Sequence, residues 1–133
     1  RAPTVRAHWP ANARFLVADL LAKDGPSTEV IAAIQQHGNI WLDRSEFMLV
    51  IDNGDKEEEI RRYAPYVSLG GLAVIHDWGS EVHPEIALPI LGGLGFVPFE
   101  EEYAERAGTM FRAFRKAPPL DGFSGYGRWN LVP

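Results

Sequence analysis

The chain of 133 residues has the length of one domain, and 13 Lys and Arg against 18 Asp and Glu give it a net charge of −5. This acidic balance argues against nucleic acid or an anionic membrane as a partner. The absence of cysteine excludes disulfides, thiolate metal sites and Cys nucleophiles, and it favours a cytoplasmic location. A small-molecule or protein partner is therefore expected.

The first predicted strand covers residues 14–18, an apolar run that ends at Asp19. A turn follows, and Ser27 or Thr28 is predicted to cap the next helix. Gly38 is predicted to end that helix. The pattern indicates a first strand-to-helix unit.

Two further apolar runs predict strands of the same kind. Residues 47–51 form the second strand, and residues 56–67 form a helix that Pro65 should kink or shorten. Residues 72–75 form the third strand after a glycine pair. Strands that are apolar throughout and are followed by helices are typical of a parallel sheet with both faces covered. We therefore predict an α/β domain of three layers.

The end of the chain predicts a different connection. After a helix around residues 84–91, residues 96–104 and 109–115 are expected to form two strands joined by a short turn. Such a hairpin would end the sheet in antiparallel fashion. Residues 118–133 have no strand or helix period and are predicted to be an irregular arm, which leaves residues 1–117 as the domain.

Three acids lie at predicted strand ends. Asp19, Asp52 and Asp77 each follow directly on an apolar run. Acids also end strands and cap helices for purely structural reasons, but three in register favour a site, because ligands bind outside the carboxyl ends of such sheets. If Asp52 and Asp77 come from adjacent strands, their carboxylates can reach one hard cation such as Mg²⁺.

His76 lies next to Asp77 and has two interpretations. Side chains alternate along a strand, so His76 is expected on the opposite face from Asp77. An imidazole also suits Zn, Fe or Mn better than Mg. His76 is therefore a candidate ligand, a histidine that supports the ligands from outside the site, or a histidine of the core.

Two acidic runs receive structural explanations. Acids at residues 57–59 lie in the first turn of a predicted helix, where the macrodipole favours them and solvent is expected to surround them. Residues 100–102 lie in a predicted strand, where charges protect a sheet edge against aggregation. Neither run is assigned chemistry.

Four segments together resemble the class I S-adenosylmethionine-dependent methyltransferases, namely VAD at 17–19, LVIDN at 49–53, YAPYVSLGG at 63–71 and VIHD at 74–77. Among these, the chain is most similar to the small-molecule O-methyltransferases grouped with the rhamnosyl O-methyltransferases and the cephalosporin hydroxylase family. The resemblance covers the third to seventh strands of a Rossmann-like, mainly parallel sheet with a closing antiparallel hairpin. The first strands and the glycine-rich loop of that fold are absent from the 133 residues.

The resemblance implies roles for particular residues. It places Asp19, Leu20 and Asp52 at the cofactor S-adenosylmethionine, and it implies that Asp52 and Asp77 hold a divalent metal, Mg²⁺ in the first instance. That metal would activate and align the acceptor hydroxyl. Asp52, Asp55 and His76 are the implied catalytic residues.

One position departs from the family pattern. Where relatives commonly carry a histidine three residues after the fourth-strand acid, this chain has Asp55, followed by Lys56. Asp55 is therefore a candidate metal ligand, and Lys56 is a candidate base if burial lowers its pKa.

The expected function is the C-terminal portion of a Mg²⁺-assisted O-methyltransferase in natural product biosynthesis, acting on a sugar or natural-product hydroxyl. Its partners would be the small-molecule acceptor and either a second copy or the missing N-terminal half. The alternative is a non-catalytic α/β oligomerisation or binding module derived from this fold. A receiver domain is disfavoured by the lack of an acidic pair after a first strand, and a metal-dependent hydroxylase is suggested only by a related family's name.

Overall fold

The computed structural model describes residue 13 and residues 16–37 and 47–117. In chain order, the described elements are α1 (Thr28–His37), β1 (Met48–Ile51), α2 (Lys56–Tyr63), a 3-10 turn (Ala64–Tyr66), β2 (Leu72–Ile75), α3 (Pro84–Gly93), β3 (Phe96–Phe99), α4 (Glu101–Ala107) and β4 (Arg112–Lys116). The predicted α/β class is confirmed. Gly38 and the predicted arm over residues 118–133 lie outside the described residues.

The four described strands form one mixed sheet in the order β1-β2-β4-β3. β1 and β2 pair in parallel, whereas β4 pairs antiparallel with both β2 and β3. β1, β2 and β3 therefore run in the same direction and β4 alone is reversed. The predicted antiparallel end of the sheet is confirmed.

The connection between β3 and β4 differs from the predicted short turn. The strands predicted over residues 96–104 and 109–115 are shorter than expected, and helix α4 lies between them. This segment is rich in good helix formers, and left-handed residues flank it, Glu100 with φ 56° and Gly108 with φ 68°. The acidic run 100–102 therefore starts a helix, and its predicted place in an edge strand is wrong.

The first predicted strand is wrong over the residues that the structure describes. Residues 16–19 have irregular backbone, and the side chains of Leu16 and Val17 are 47% and 73% exposed. An apolar run becomes a strand only when a neighbouring strand completes its hydrogen bonds. In the described sheet, β1 pairs with β2 alone, so this run has no partner there.

The starts of α1 and α2 follow ordinary capping chemistry. Ser27 Oγ accepts a hydrogen bond from the Val30 amide at 3.3 Å, which confirms the predicted cap. Asp55 Oδ1 accepts a hydrogen bond from the Glu58 amide at 3.1 Å and caps α2. Because Pro65 cannot continue an α-helix, α2 passes into the 3-10 turn, and the predicted shortening is confirmed.

The core lies on one face of the sheet. Helices α1, α2 and α3 all contribute to it, and the strand register places its strand residues on a common face: Ile51, Ala73, Ile75, Phe96 and Phe114. On the other face, Met48 and Val50 of β1 and Val97 of β3 are 55%, 51% and 47% exposed, whereas Leu72 of β2 is buried. The described residues thus form two layers instead of the predicted three, because the helices with buried side chains share the first face.

The start of α2 is less solvated than its charged sequence predicts. Lys56 and Glu59 are only 5% and 4% exposed, because they share the inward face of the helix with Ile60 and Tyr63. Among the described residues, Glu59 Oε2 has no hydrogen-bond partner, and burial raises the pKa of Glu59. Keeping this carboxyl charged therefore costs folding free energy.

Glu59→Gln is expected to stabilise the protein at neutral pH by about 1 kcal/mol, because it removes the buried charge. The raised pKa of Glu59 determines the direction in which stability changes with pH. The native state keeps a proton that the unfolded state has lost, so wild-type stability falls as pH rises from the unfolded pKa through the folded pKa of Glu59. The variant should lack this fall, which urea unfolding across that pH window measures.

Glu58→Gln is the control of opposite sign. The hydrogen bond from Arg62 lowers the pKa of Glu58, so this variant should lose stability at neutral pH and keep it in acid. A Glu59→Gln variant that is less stable than the wild type at neutral pH would contradict the interpretation of Glu59.

Candidate metal centre

Three side chains meet at the carboxyl ends of two neighbouring strands. Asp52 follows β1, and His76 and Asp77 follow β2. Because β1 and β2 are parallel and the His76 amide donates to the Ile51 carbonyl at 3.0 Å, the two strand ends lie side by side. The structure thus brings Asp52 and Asp77 together at the edge where the strand pattern predicted a site.

The atoms that face each other in this cluster are carboxylate oxygens and one imidazole nitrogen. His76 Nδ1 lies 2.7 Å from Asp52 Oδ1 and 3.2 Å from Asp77 Oδ1. One ligand atom from each of the three residues lies within 4.8 Å of the others. The Asp52 side chain is 51% exposed and that of Asp77 is 18% exposed, so the cluster opens to solvent on the Asp52 side. Two carboxylates and an imidazole are chemically suited to one divalent cation.

Asp77 has a backbone conformation that strand alternation does not predict. Its φ is 60°, in the left-handed region, and its carbonyl accepts hydrogen bonds from the amides of residues 80, 81 and 82 at 3.0 to 3.1 Å. Alternation would send His76 and Asp77 to opposite faces. The left-handed turn instead brings both side chains to Asp52, and aspartate adopts this conformation more readily than most residues.

Lys56 contacts the cluster through Asp77, and the sequence interpretation missed this contact. Its Nζ lies 2.7 Å from Glu81 Oε1 and 3.1 Å from Asp77 Oδ2. The hydrogen bond to Glu81 and the weaker one to Asp77 raise the pKa of Lys56 in spite of its burial. A base role for Lys56 required a lowered pKa and is therefore wrong. The sequence feature that could have indicated these ion pairs is a lysine in the first turn of a helix, because the macrodipole disfavours a cation there.

Asp55, a predicted catalytic residue, is not a member of the cluster. Its carboxylate is engaged with the Glu58 amide, and its side chain is exposed. This capping contact accounts for an acid at position 55 without any ligand.

The predicted cofactor-binding residues Asp19 and Leu20 lie in the turn before α1. Asp19 Oδ1 accepts a hydrogen bond from the Leu21 amide at 3.1 Å, and Asp19 lines a cavity of about 380 Å³ beside the start of α1. The Leu20 carbonyl accepts a hydrogen bond from Tyr63 Oη at 2.8 Å. Neither residue belongs to the Asp52, His76 and Asp77 group.

Helix α2 connects this turn to the cluster. Arg62 donates to the carbonyls of Leu20, Ala22 and Gly25 at 3.3, 2.7 and 3.0 Å. The first residue of the same helix, Lys56, contacts Asp77. One helix therefore holds both the turn that carries Asp19 and the ion pairs beside the cluster.

An apolar border lies next to the cluster. The rings of His76 and Phe111 have centroids 4.4 Å apart and are tilted by 41°. The Trp78 amide donates to the Met110 carbonyl at 2.9 Å, which attaches the loop before β4 to the loop after β2. The side chains of Met110 and Phe111 are 44% and 39% exposed. The centre thus combines charged ligand atoms with accessible apolar surface.

Comparison of the chain with family models, with curated proteins and with solved structures finds no match. Within the described ranges, no helix has both the length and the apolar composition that crossing a membrane requires.

Proposed function

We propose that this chain carries the metal centre of an S-adenosylmethionine-dependent O-methyltransferase that is assisted by a divalent metal. The observation that carries the proposal is the cluster of Asp52, His76 and Asp77 at the carboxyl ends of two parallel strands. In open α/β sheets, this edge is where ligands bind. The acceptor is a sugar or natural-product hydroxyl, as the resemblance implies, and the absence of cysteine favours the cytoplasm.

The sheet supports a Rossmann-like methyltransferase arrangement. Three of the described strands run in one direction and the last described strand, β4, is reversed, as the resemblance implies. Met48 and Val50 of β1 are 55% and 51% exposed, which is compatible with pairing to a second copy.

Each residue of the centre has a definite task in this proposal. A divalent cation, when bound, supplies Lewis acidity toward an acceptor hydroxyl. Asp52 and Asp77 would hold it with carboxylate oxygens, and His76 would hold it with an imidazole nitrogen. Lys56 positions Asp77 by binding its Oδ2, which leaves Oδ1 directed to the cluster.

The function is tested by transfer of a labelled methyl group from S-adenosylmethionine to a panel of hydroxyl acceptors. The assay uses the polypeptide that contains this chain. Removal of divalent metal with EDTA should abolish transfer, and Mg²⁺ or Mn²⁺ should restore it. Methyl transfer that continues in EDTA would contradict the role of the metal. Failure to methylate any acceptor would contradict the methyltransferase function.

His76→Asp is expected to move the metal preference from Mn²⁺ toward Mg²⁺. An imidazole nitrogen favours first-row transition metals, whereas an all-carboxylate set suits Mg²⁺, so the ratio of Mn²⁺ to Mg²⁺ affinity should fall by about tenfold. Calorimetric titration of both ions measures the ratio. The control is His83→Asn, which alters a histidine that pairs with Glu57 outside the cluster. An unchanged ratio in His76→Asp would contradict ligation by the imidazole.

A non-catalytic α/β module is the second candidate function. It is favoured by the exposed side chains of Met48 and Val50 on β1, since the faces of parallel strands are normally covered and exposed apolar patches mark interaction surfaces. Sedimentation and metal titration separate the two candidates. A stable oligomer that binds no divalent cation would support the module.

A further inference from the structure

We infer that Glu57 is a positioning residue of the metal centre, which acts on Asp77 through the loop of residues 77–83. This inference rests on the proposed function, because Asp77 is one of the proposed metal ligands. It assigns a role in the affinity of the site to a residue that is not a member of the cluster. Two observations carry it: the loop is closed on Asp77 by its own hydrogen bonds, and Glu57 binds the far end of the loop.

The loop of residues 77–83 is closed on the carbonyl of Asp77. That carbonyl accepts hydrogen bonds from the amides of residues 80–82 at 3.0 to 3.1 Å. The Gly79 amide donates to the Val82 carbonyl at 2.8 Å. These hydrogen bonds tie the end of the loop to its beginning, so a displacement of the end moves the Asp77 backbone.

Glu57 binds the end of this loop from helix α2. Its Oε2 accepts a hydrogen bond from the His83 amide at 2.7 Å and lies 3.1 Å from His83 Nδ1. The hydrogen bond from the His83 amide lowers the pKa of Glu57, whose side chain is only 16% exposed. A short hydrogen bond to a charged carboxylate is of the stronger kind. The His83 backbone is therefore held at a fixed place relative to α2.

The backbone of Asp77 needs such support from outside. Its φ of 60° is a conformation that residues other than glycine keep only where the surrounding structure holds it. Lys56 binds the carboxylate of Asp77, whereas Glu57 holds the backbone through the loop. If the end of the loop is released, Asp77 can return to an extended conformation. Its side chain would then point away from His76, because side chains alternate along an extended chain.

The test compares two substitutions of Glu57 that separate its charge from its reach. Glu57→Gln removes the charge but keeps an oxygen that reaches the His83 amide. Glu57→Asp keeps the charge but is shorter by one methylene and does not reach the amide. A positioning role predicts that Mn²⁺ affinity falls by about tenfold in Glu57→Asp, as for loss of an outer partner of a metal ligand, and stays close to the wild-type value in Glu57→Gln.

Mn²⁺ affinity is measured on the full chain by electron paramagnetic resonance of the free ion. The line shape of the bound ion reports the geometry of its ligands, and it should change in Glu57→Asp alone. Glu58→Gln and Glu58→Asp are the matched controls, since Glu58 pairs with Arg61 and Arg62 of its own helix. Both controls should keep the wild-type affinity and line shape, whatever their effect on stability.

The reverse order at position 57, with weak binding in Glu57→Gln and normal binding in Glu57→Asp, would show that the charge of Glu57 attracts the cation. That result would overturn the positioning role. The same affinity in both variants, whether normal or reduced, would also overturn it, as would an equal loss in Glu57→Asp and Glu58→Asp. In each of these cases the metal centre stands. If the wild-type chain binds no Mn²⁺, the proposed function fails and the inference fails with it.

Discussion

Asp52→Asn is expected to weaken Mn²⁺ binding by a factor on the order of 100, because it removes one of the two anionic ligands from the cluster. Loss of an outer partner of a metal ligand already costs 10–100-fold, and loss of the ligand itself should reach the upper end. Asparagine keeps the volume of the side chain, which is half exposed and lies 2.7 Å from His76 Nδ1. Stability should therefore change by only about 0.5 kcal/mol. Calorimetric titration measures the affinity.

Asp55→Asn is the matched control, since it makes the same chemical change three residues away. Asparagine caps helices as well as aspartate, so α2 should be preserved. Mn²⁺ affinity should stay close to the wild-type value, which would also exclude Asp55 as a ligand. Equal losses of Mn²⁺ affinity in the two variants would indicate that the acidic surface attracts the ion without a specific site. An unchanged affinity in Asp52→Asn would show that Asp52 is not a ligand.

Phe114→Ala is expected to destabilise the fold by about 4 kcal/mol, the range for truncation of a buried aromatic residue. Phe114 is 2% exposed and lies in the middle of β4, opposite Ala73 of β2 and Pro98 of β3. Its ring also packs on Trp78, with centroids 5.2 Å apart. Because β4 joins β3 to the rest of the sheet, a cavity at Phe114 weakens the packing on both sides of β4.

Urea unfolding monitored by far-ultraviolet circular dichroism measures this loss. Val97→Ala is the comparison, because Val97 is 47% exposed on the opposite face of the same sheet. We expect it to cost less than about 1 kcal/mol. Similar small losses in the two variants would contradict the placement of β4 at the centre of the sheet.

The parts of the fold that the sequence predicts well are those specified locally. β1 and β2 are apolar runs bounded by an acid or by glycine, and their observed bounds lie within one residue of the predicted ones. Ser27 caps α1 because its hydroxyl reaches an amide three residues ahead. Pro65 ends α2 because it lacks an amide proton. None of these features requires knowledge of distant contacts.

The predictions that are wrong concern parts of the fold that depend on contacts between distant segments. Residues 16–18 are as apolar as β2, but a strand also needs a neighbour, and no local pattern shows whether one exists. Residues 101–107 alternate poorly and favour a helix, yet two flanking strands suggested a hairpin. The insertion of β4 between β2 and β3 is a choice of pairing that hydrophobic periodicity does not encode.

The candidate metal centre also combines features that the sequence predicts with features that depend on distant contacts. Asp52 and Asp77 were predicted to converge because parallel strands present their carboxyl ends at one edge. The approach of His76 depends on the left-handed backbone of Asp77, which the residue type permits but does not require. The ion pairs of Lys56 depend on the loop that brings Glu81 back toward α2. A solvated helix start was therefore expected where the structure has a buried cation.

The most direct test of the central claim is a Mn²⁺ titration of the wild-type chain, monitored by electron paramagnetic resonance of the free ion. Asp52, His76 and Asp77 should bind one Mn²⁺ per chain, with competition by Mg²⁺ at higher concentration. Failure to bind Mn²⁺, or binding of several ions that salt removes as readily from wild type as from Asp52→Asn, would contradict a metal centre at the ends of β1 and β2.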